Sequence, residues 1–145
     1  EMTRFMMTLD NAVELVLYAF KNGKQGEMFV QKSPAATISV LAQALLELYD
    51  SKSSIQEIGI RHGEKKYETL VTSEEMVKAN DLGDYYSIAS DNRGLNYAPY
   101  FSEGNKEEVL TGEYNSDNTE RLNVTKMKDL LMQLPEIKND PLIKL

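Results

Sequence analysis

The chain has 145 residues, 41% of them apolar and 27% charged, with a formal net charge of −7, a composition ordinary for a folded domain with its own core. It has no cysteine and a single histidine, His62, which excludes disulfides, thiol catalysis and thiolate metal sites and leaves no material for a His-rich metal centre or a Ser-His-Asp arrangement. The acidic balance argues against general nucleic-acid or anionic-membrane binding, and no apolar run approaches the roughly 20 residues that span a bilayer.

The opening residues, Glu1-Met2-Thr3-Arg4, show no charged n-region followed by an apolar stretch, so no signal peptide is expected. Thr3 to Leu9 reads as an extended lead-in. Asp10 then precedes Ala12, Val13, Leu15, Val16, Leu17, Ala19 and Phe20, a spacing that fills most of a helix face, with Asp10 as the expected N-cap and Gly23 as the stop. Met28, Phe29 and Val30 have little polar alternation and read as a short buried strand. Ser33-Pro34 is a break. Thr37 is placed to cap a second helix whose apolar face is Ile38, Val40, Leu41, Ala44, Leu45 and Leu48. After a polar turn over Ser51 to Ser54, the residues Ile55, Ile58 and Ile60 predict another strand.

Thr72 and Glu75 have capping-box spacing, which predicts a short helix to about Asn80. Tyr85 to Ala89 reads as a strand. Asp91 to Gly112 is rich in Asn, Gly, Tyr and Glu, and is expected to be irregular or mobile. Val124, Met127, Leu130, Leu131 and Leu134 predict a last amphipathic helix, with Pro135 at its end or in the first turn of another. Asn123-Val124-Thr125 matches a glycosylation acceptor pattern, but Asn123 is better read as the cap of that helix. Met2, Met6, Met7 and Met28 read as core or interface filler. The apolar faces of the first two helices exceed what two strands can cover, so they are expected to pack on something further.

Chemistry concentrates at Arg61-His62-Gly63-Glu64-Lys65-Lys66-Tyr67-Glu68. Gly63 allows a sharp turn or the close approach of a ligand. Arg61 and Lys65 put positive charge beside that turn in an otherwise acidic chain, and a guanidinium makes paired, charge-assisted bonds to phosphate oxygens. Glu64 and Glu68 could orient those cations or accept bonds from ribose hydroxyls. The alternative is a solvated charged loop. Arg4, on an apolar segment, reads as a surface or an interface residue, with a ligand role as the less favoured alternative, and His62 as a surface residue in the turn rather than a general acid or base.

Several of these segments, taken together and in order, resemble one family. Thr3-Arg4-Phe5-Met6-Met7 followed by Asp10 and an apolar helix is similar to the middle of extended short-chain dehydrogenase/reductase enzymes acting on nucleotide sugars. Gly26 to Val30, continuing through Thr37-Ile38 and Leu41-Ala42, resembles that family's strand-helix unit. Arg61-His62-Gly63-Glu64-Lys65 with Glu68 resembles the R-x-G-E-K-x-x-E element of its polysaccharide-biosynthesis branch, which includes capsular UDP-N-acetylglucosamine 4,6-dehydratases and 5-epimerases, often called UDP-glucose 4-epimerases. Tyr114-Asn115-Ser116-Asp117-Asn118-Thr119 resembles the tail before the last helix.

The resemblance implies an α/β fold: the C-terminal, substrate-binding part of an extended enzyme of that family, without most of the N-terminal Rossmann sheet. It implies a UDP-sugar ligand, with Arg4 and Arg61 contacting the diphosphate and Glu64, Lys65 and Glu68 completing the substrate site. The family binds NAD or NADP through a Gly-rich turn and uses a Tyr or Met with a Lys four positions on. No such glycine fingerprint occurs here and no Tyr has a Lys four residues later, so the chain alone is expected to hold no cofactor, no metal and no catalytic residue, and to be inactive without a Rossmann half. The expected organisation is a strand/helix substrate-binding core over 1–90, an irregular segment over 91–112 and a tail with a helix over 113–145. The expected setting is a cytoplasmic homo-oligomer. Three other readings stand beside this one: a UDP-glucose 4-epimerase-type parent, a non-catalytic oligomerisation module using Tyr97, Tyr100 and Phe101, and an unrelated anion-binding domain.

Overall fold

Local side-chain chemistry starts each longer helix. A computed structural model describes residues 1–90 and 112–143; most of the segment expected to be irregular, 91–112, therefore lies outside the described residues. Strand β1 (Thr3–Phe5) leads into helix α1 (Leu9–Asn22). The cap of α1 is Thr8, not Asp10: the Thr8 hydroxyl accepts from Asn11 N at 3.2 Å, and Asn11 Oδ1 in return accepts from Thr8 N at 3.2 Å. Asp10 instead lies within the first turn, where its charge complements the helix N-terminus. Thr8 wins the cap because its partner sits three residues on, so that each side chain satisfies the other's backbone. Gly23 follows the helix where a Cβ would come within 2.6 Å of the Ala19 carbonyl oxygen.

Strand β2 (Met28–Gln31) and the short β3 (Ala35–Thr37) precede α2 (Ile38–Leu48), which Thr37 caps through Val40 N. Then come β4 (Thr69–Val71), α3 (Ser73–Met76), β5 (Ala79–Asp81), β6 (Tyr85–Ile88), β7 (Tyr114–Asn115), α4 (Val124–Leu131) and α5 (Pro135–Lys138). The capping box of Thr72 and Glu75 is present at α3, though the helix stops at Met76 and β5 takes up the residues expected to continue it. Asn123 caps α4 through Lys126 N, and Pro135 opens α5.

The strand expected over Ile55 to Ile60 does not form. Residues 51–61 have no regular structure, and Ile55, Ile58 and Ile60 are all exposed. Gly59 sits at φ +77°, which breaks an extended run, and among the described residues no backbone hydrogen bond joins Ser54–Ile60 to a neighbouring strand. Apolar pattern without a partner edge does not make a strand.

The chain divides into two compact units, each assembled from separate segments. The first comprises Glu1–Asn11, Ser33–Glu68 and the described part of Ser116–Leu145. Here β1 and β3 pair antiparallel with Arg4 opposite Ala36. The other edge of β3 is met by the segment before α4, where Ala35 N donates to Glu120 O and Leu122 N donates to Ala35 O, both at 2.8 Å. Ala35 and Ala36 are fully buried; their small side chains let neighbouring backbone approach closely. The core lies between α2 and α4, around Ala36, Ala44, Leu122, Met127 and Leu131, with Met6 and Leu41 packed against it. The apolar face of α2 is thus partly covered within the unit: Ala44 is buried, Val40, Leu41, Leu45 and Leu48 are partly buried, and Ile38 stays exposed. Lys128 Nζ also donates to Glu47 at 2.7 Å, and the Tyr49 hydroxyl donates to Asp140 at 2.9 Å.

The second unit comprises Ala12–Lys32 and the described part of Thr69–Asn115. Its antiparallel sheet has the order β2-β6-β5, and β4 pairs with β7. Tyr18 of α1 stacks on Tyr85 at 4.1 Å between ring centroids and meets the edge of Phe29 at 5.5 Å. No residue of α1 is buried. Leu9, Val13, Val16, Leu17 and Phe20 are exposed along one helical face.

Candidate functional site

The site builds outward from β1. Pairing with β3 fixes the backbone of Arg4, and Thr3 N extends this by donating to Lys66 O at 2.9 Å. That bond draws the segment after the Gly63 turn against β1. The Arg4 guanidinium then engages that segment and its own strand: Nη2 donates to Lys65 O at 2.9 Å, and Nη1 donates to Lys66 O at 3.5 Å and to Thr3 O at 2.6 Å. Arg4 Nε stands 3.7 Å from Glu68 Oε1, close enough for an ion pair but too long for a hydrogen bond. A guanidinium has five N–H donors. The three directed at carbonyls orient its plane, and two remain uncommitted among the described residues.

Arg61 and Glu64 form a second, local group. Glu64 N donates to Arg61 O at 3.1 Å, closing a four-residue turn with Gly63 in its third position at φ +84°. Arg61 N donates to the Glu64 carboxylate at 2.8 Å. Glu64 is therefore spent on shaping the turn. Among the described residues nothing hydrogen-bonds the Arg61 guanidinium or the Lys65 ammonium, and both residues are exposed. His62 is also exposed.

The structure thus brings Arg4 from β1 to Lys65 and Glu68, and joins Arg61 with Glu64 in the neighbouring turn, as two separate groups. Arg4, Arg61, Lys65 and Lys66 stand against Glu64 and Glu68, a local excess of positive charge in an acidic chain. Such a surface suits a polyanion, and planar guanidinium forks suit phosphate oxygens. Lys66 was not singled out by sequence reasoning, because its part is played by a backbone carbonyl. Thr3 and Ser116 were also missed as site supports; their place inside recognisable motifs was the available signal.

A separate apolar hollow of about 170 Å³ in the first unit is lined by Phe5, Met6, Met7, Leu41, Met127 and neighbours. It carries no charged side chain, so it does not suit a phosphorylated ligand. Among the described residues no group of His, Asp or Glu is arranged to hold a metal ion, and no helix is long and apolar enough to cross a membrane. Met28 and Lys32 have the Met-x-x-x-Lys spacing, but they lie at and just beyond a strand. Lys32 there bonds Asp81 at 2.6 Å and sits 4.3 Å from the centre of the Tyr86 ring. The Lys32 bond holds the Asp81 carboxyl below its ordinary value.

Residues 1–90 match the sequence profile of a family described as polysaccharide biosynthesis protein, and residues 91–138 match that of polysaccharide biosynthesis protein C-terminal. The chain is 58% identical over 139 residues to a UDP-glucose 4-epimerase of Rickettsia felis and 56% identical over the same length to one of Rickettsia prowazekii. Each alignment covers 96% of this chain and 41% of the relative, so the chain spans about two-fifths of the length of these curated relatives. Its structure is similar to the X-ray structure of Pen from Bacillus thuringiensis, with a TM-score of 0.71 and 31% identity over 92% of this chain and 38% of that one. These matches and the mixed α/β architecture agree with the resemblance to the C-terminal part of an extended short-chain dehydrogenase/reductase. The chain belongs to the polysaccharide biosynthesis protein family.

Proposed function

We propose that this chain is the UDP-sugar-binding portion of a polysaccharide-biosynthesis enzyme of the 4,6-dehydratase/epimerase type, with Arg4 and Arg61 gripping the ligand's diphosphate. The observation that carries this reading is the state of the two guanidinium groups. Backbone carbonyls hold Arg4 in a fixed plane with two donors uncommitted, while Arg61 projects from the Gly63 turn without a partner among the described residues. A fork fixed in advance loses less freedom when it meets a diphosphate. Lys65 adds a point charge, and Glu64 keeps Arg61 in place by closing the turn. A binding rather than a redox part is favoured by the sequence, which has no Gly-rich fingerprint, and by Lys32 being engaged by Asp81. On this reading the chain's part is to bind and orient the ligand.

Titration of UDP into the chain tests the reading. Arg61→Ala should weaken binding by about 1.5–3 kcal/mol, the scale of a lost charge-assisted hydrogen bond, and Arg61→Lys should restore only part of it. His62→Ala should change little. Wild-type affinity in Arg61→Ala would overturn the assignment.

The oligomerisation reading through Tyr97, Tyr100 and Phe101 falls outside the described residues; the exposed face of α1, where Leu9 is 77% and Phe20 82% accessible, favours a further packing contact instead. We take the occupant of that face to be a further part of the same polypeptide, because the matched relatives are more than twice as long as the segment they share with this chain. Protection of that face in a protein of the relatives' full length, against exposure in this chain, is the result expected.

A further inference from the structure

We propose that Glu68 is an internal stand-in for the ligand's phosphate: it occupies the anion-facing side of Arg4 and must be displaced before Arg4 can bind. The proposal rests on the reading of Arg4 as a phosphate-binding cation and adds a competitor to it. Three features of the site carry it.

The first is how Arg4 spends its donors. Both Nη atoms reach carbonyls, whereas Nε faces only the Glu68 carboxylate at 3.7 Å. The carbonyl bonds hold the group in place whether or not an anion is present. The side facing Glu68 has charge attraction without a hydrogen bond, so it is the side a better acceptor can take.

The second feature is how Glu68 is held. Its backbone is pinned at both ends of the peptide: Glu68 N donates to Ser116 Oγ at 3.0 Å, and Glu68 O accepts from Ser116 N at 2.8 Å. Its carboxylate, by contrast, is partly exposed and has no partner other than Arg4 among the described residues. Rotation about the side chain alone moves it aside, at little cost to the fold.

The third feature is chemical. A carboxylate and a phosphate offer the same paired-oxygen face to a guanidinium, but both cannot occupy it, since like charges in one site repel. A diphosphate brings more charge and more acceptor oxygens than a single carboxylate, so it displaces Glu68 where a weak monoanion does not. Glu68 thereby raises the charge an anion needs to enter, while the carbonyls alone keep Arg4 oriented.

The test is titration of UDP into wild type, Glu68→Gln, Arg4→Ala and the Arg4→Ala/Glu68→Gln double variant at fixed salt. Glu68→Gln keeps the side-chain shape and both backbone bonds. It should tighten UDP binding by about two- to five-fold, the scale of one partly exposed ion pair. The gain should vanish in the Arg4→Ala background, because it acts through Arg4. Unchanged or weaker binding in Glu68→Gln overturns the proposal, as does a gain that persists without Arg4, which would reflect net charge alone. Failure of the underlying reading looks different: Arg4→Ala then binds UDP as wild type does.

Discussion

The hydroxyls of Thr3 and Ser116 lie 2.8 Å apart although 113 residues separate them in the chain. Both residues are buried, Ser116 completely. Ser116 Oγ donates to Thr3 O at 3.2 Å and accepts from Glu68 N at 3.0 Å; with its one proton so used, it accepts the Thr3 hydroxyl as well. One serine thus ties β1 to the end of the charged segment that carries the candidate site. Ser116→Ala leaves the Glu68 N–H and the Thr3 hydroxyl unsatisfied, and should destabilise the chain by about 1–3 kcal/mol. Urea unfolding reads this directly. Thr3→Val together with Ser116→Ala should cost less than the two single changes added, because both remove the same network.

Arg4 and Arg61 should separate by stability even though both are proposed to bind the same diphosphate. Arg4 joins β1 to Lys65 and Lys66 through their carbonyls, so Arg4→Ala should cost about 1–2 kcal/mol as those bonds are lost. The Arg61 side chain is exposed and bonds no described group, so Arg61→Ala should leave stability within about 0.5 kcal/mol of wild type. Thermal melts of the two variants check the contrast. An Arg61→Ala protein that melts as early as Arg4→Ala contradicts the assigned geometry.

The face of α1 gives a chemical prediction. Phe20 is 82% accessible and the chain contains no cysteine. In Phe20→Cys a maleimide should therefore label one thiol, at close to the rate of a free cysteine peptide. The substitution should change stability by no more than about 0.5 kcal/mol, as expected of an exposed site. Slow labelling of the monomeric chain would mean that something in the chain covers this face.

The link between α2 and α4 should respond to acid. The hydrogen bond from Lys128, then that from Gln43, holds the Glu47 carboxyl below its ordinary value of 4.5. A carboxylate with a depressed folded value stabilises fully above its unfolded value, and that contribution is lost as the pH falls through the lower folded value. Lys128→Met should thus lower the urea midpoint at neutral pH, and the difference from wild type should shrink as the pH drops below 4.5. A difference that stays constant across that range would show that Lys128 acts through packing of its stem instead.

What the amino-acid sequence determined by itself was mostly the helix starts and the identity of the charged residues. Thr37, the Thr72–Glu75 box, Asn123 and Pro135 act within three residues of their own position, so their chemistry is complete in a short stretch of chain. Even α1 was legible apart from its cap, where Thr8 with Asn11 displaced Asp10. The family motifs around Arg4, Arg61 and Ser116 were legible too, but not what those residues touch. Strands were the weak point. Ile55 to Ile60 had an apolar pattern and no partner edge, whereas Ala35–Thr37 had almost no pattern and is a strand because backbone from β1 and from Glu120–Leu122 bonds it on both sides. The tertiary structure alone decided that the Arg4 guanidinium is held by carbonyls 61 and 62 residues away. A helix cap is satisfied by its neighbours, whereas a strand ladder and a held guanidinium exist only once distant backbone has arrived.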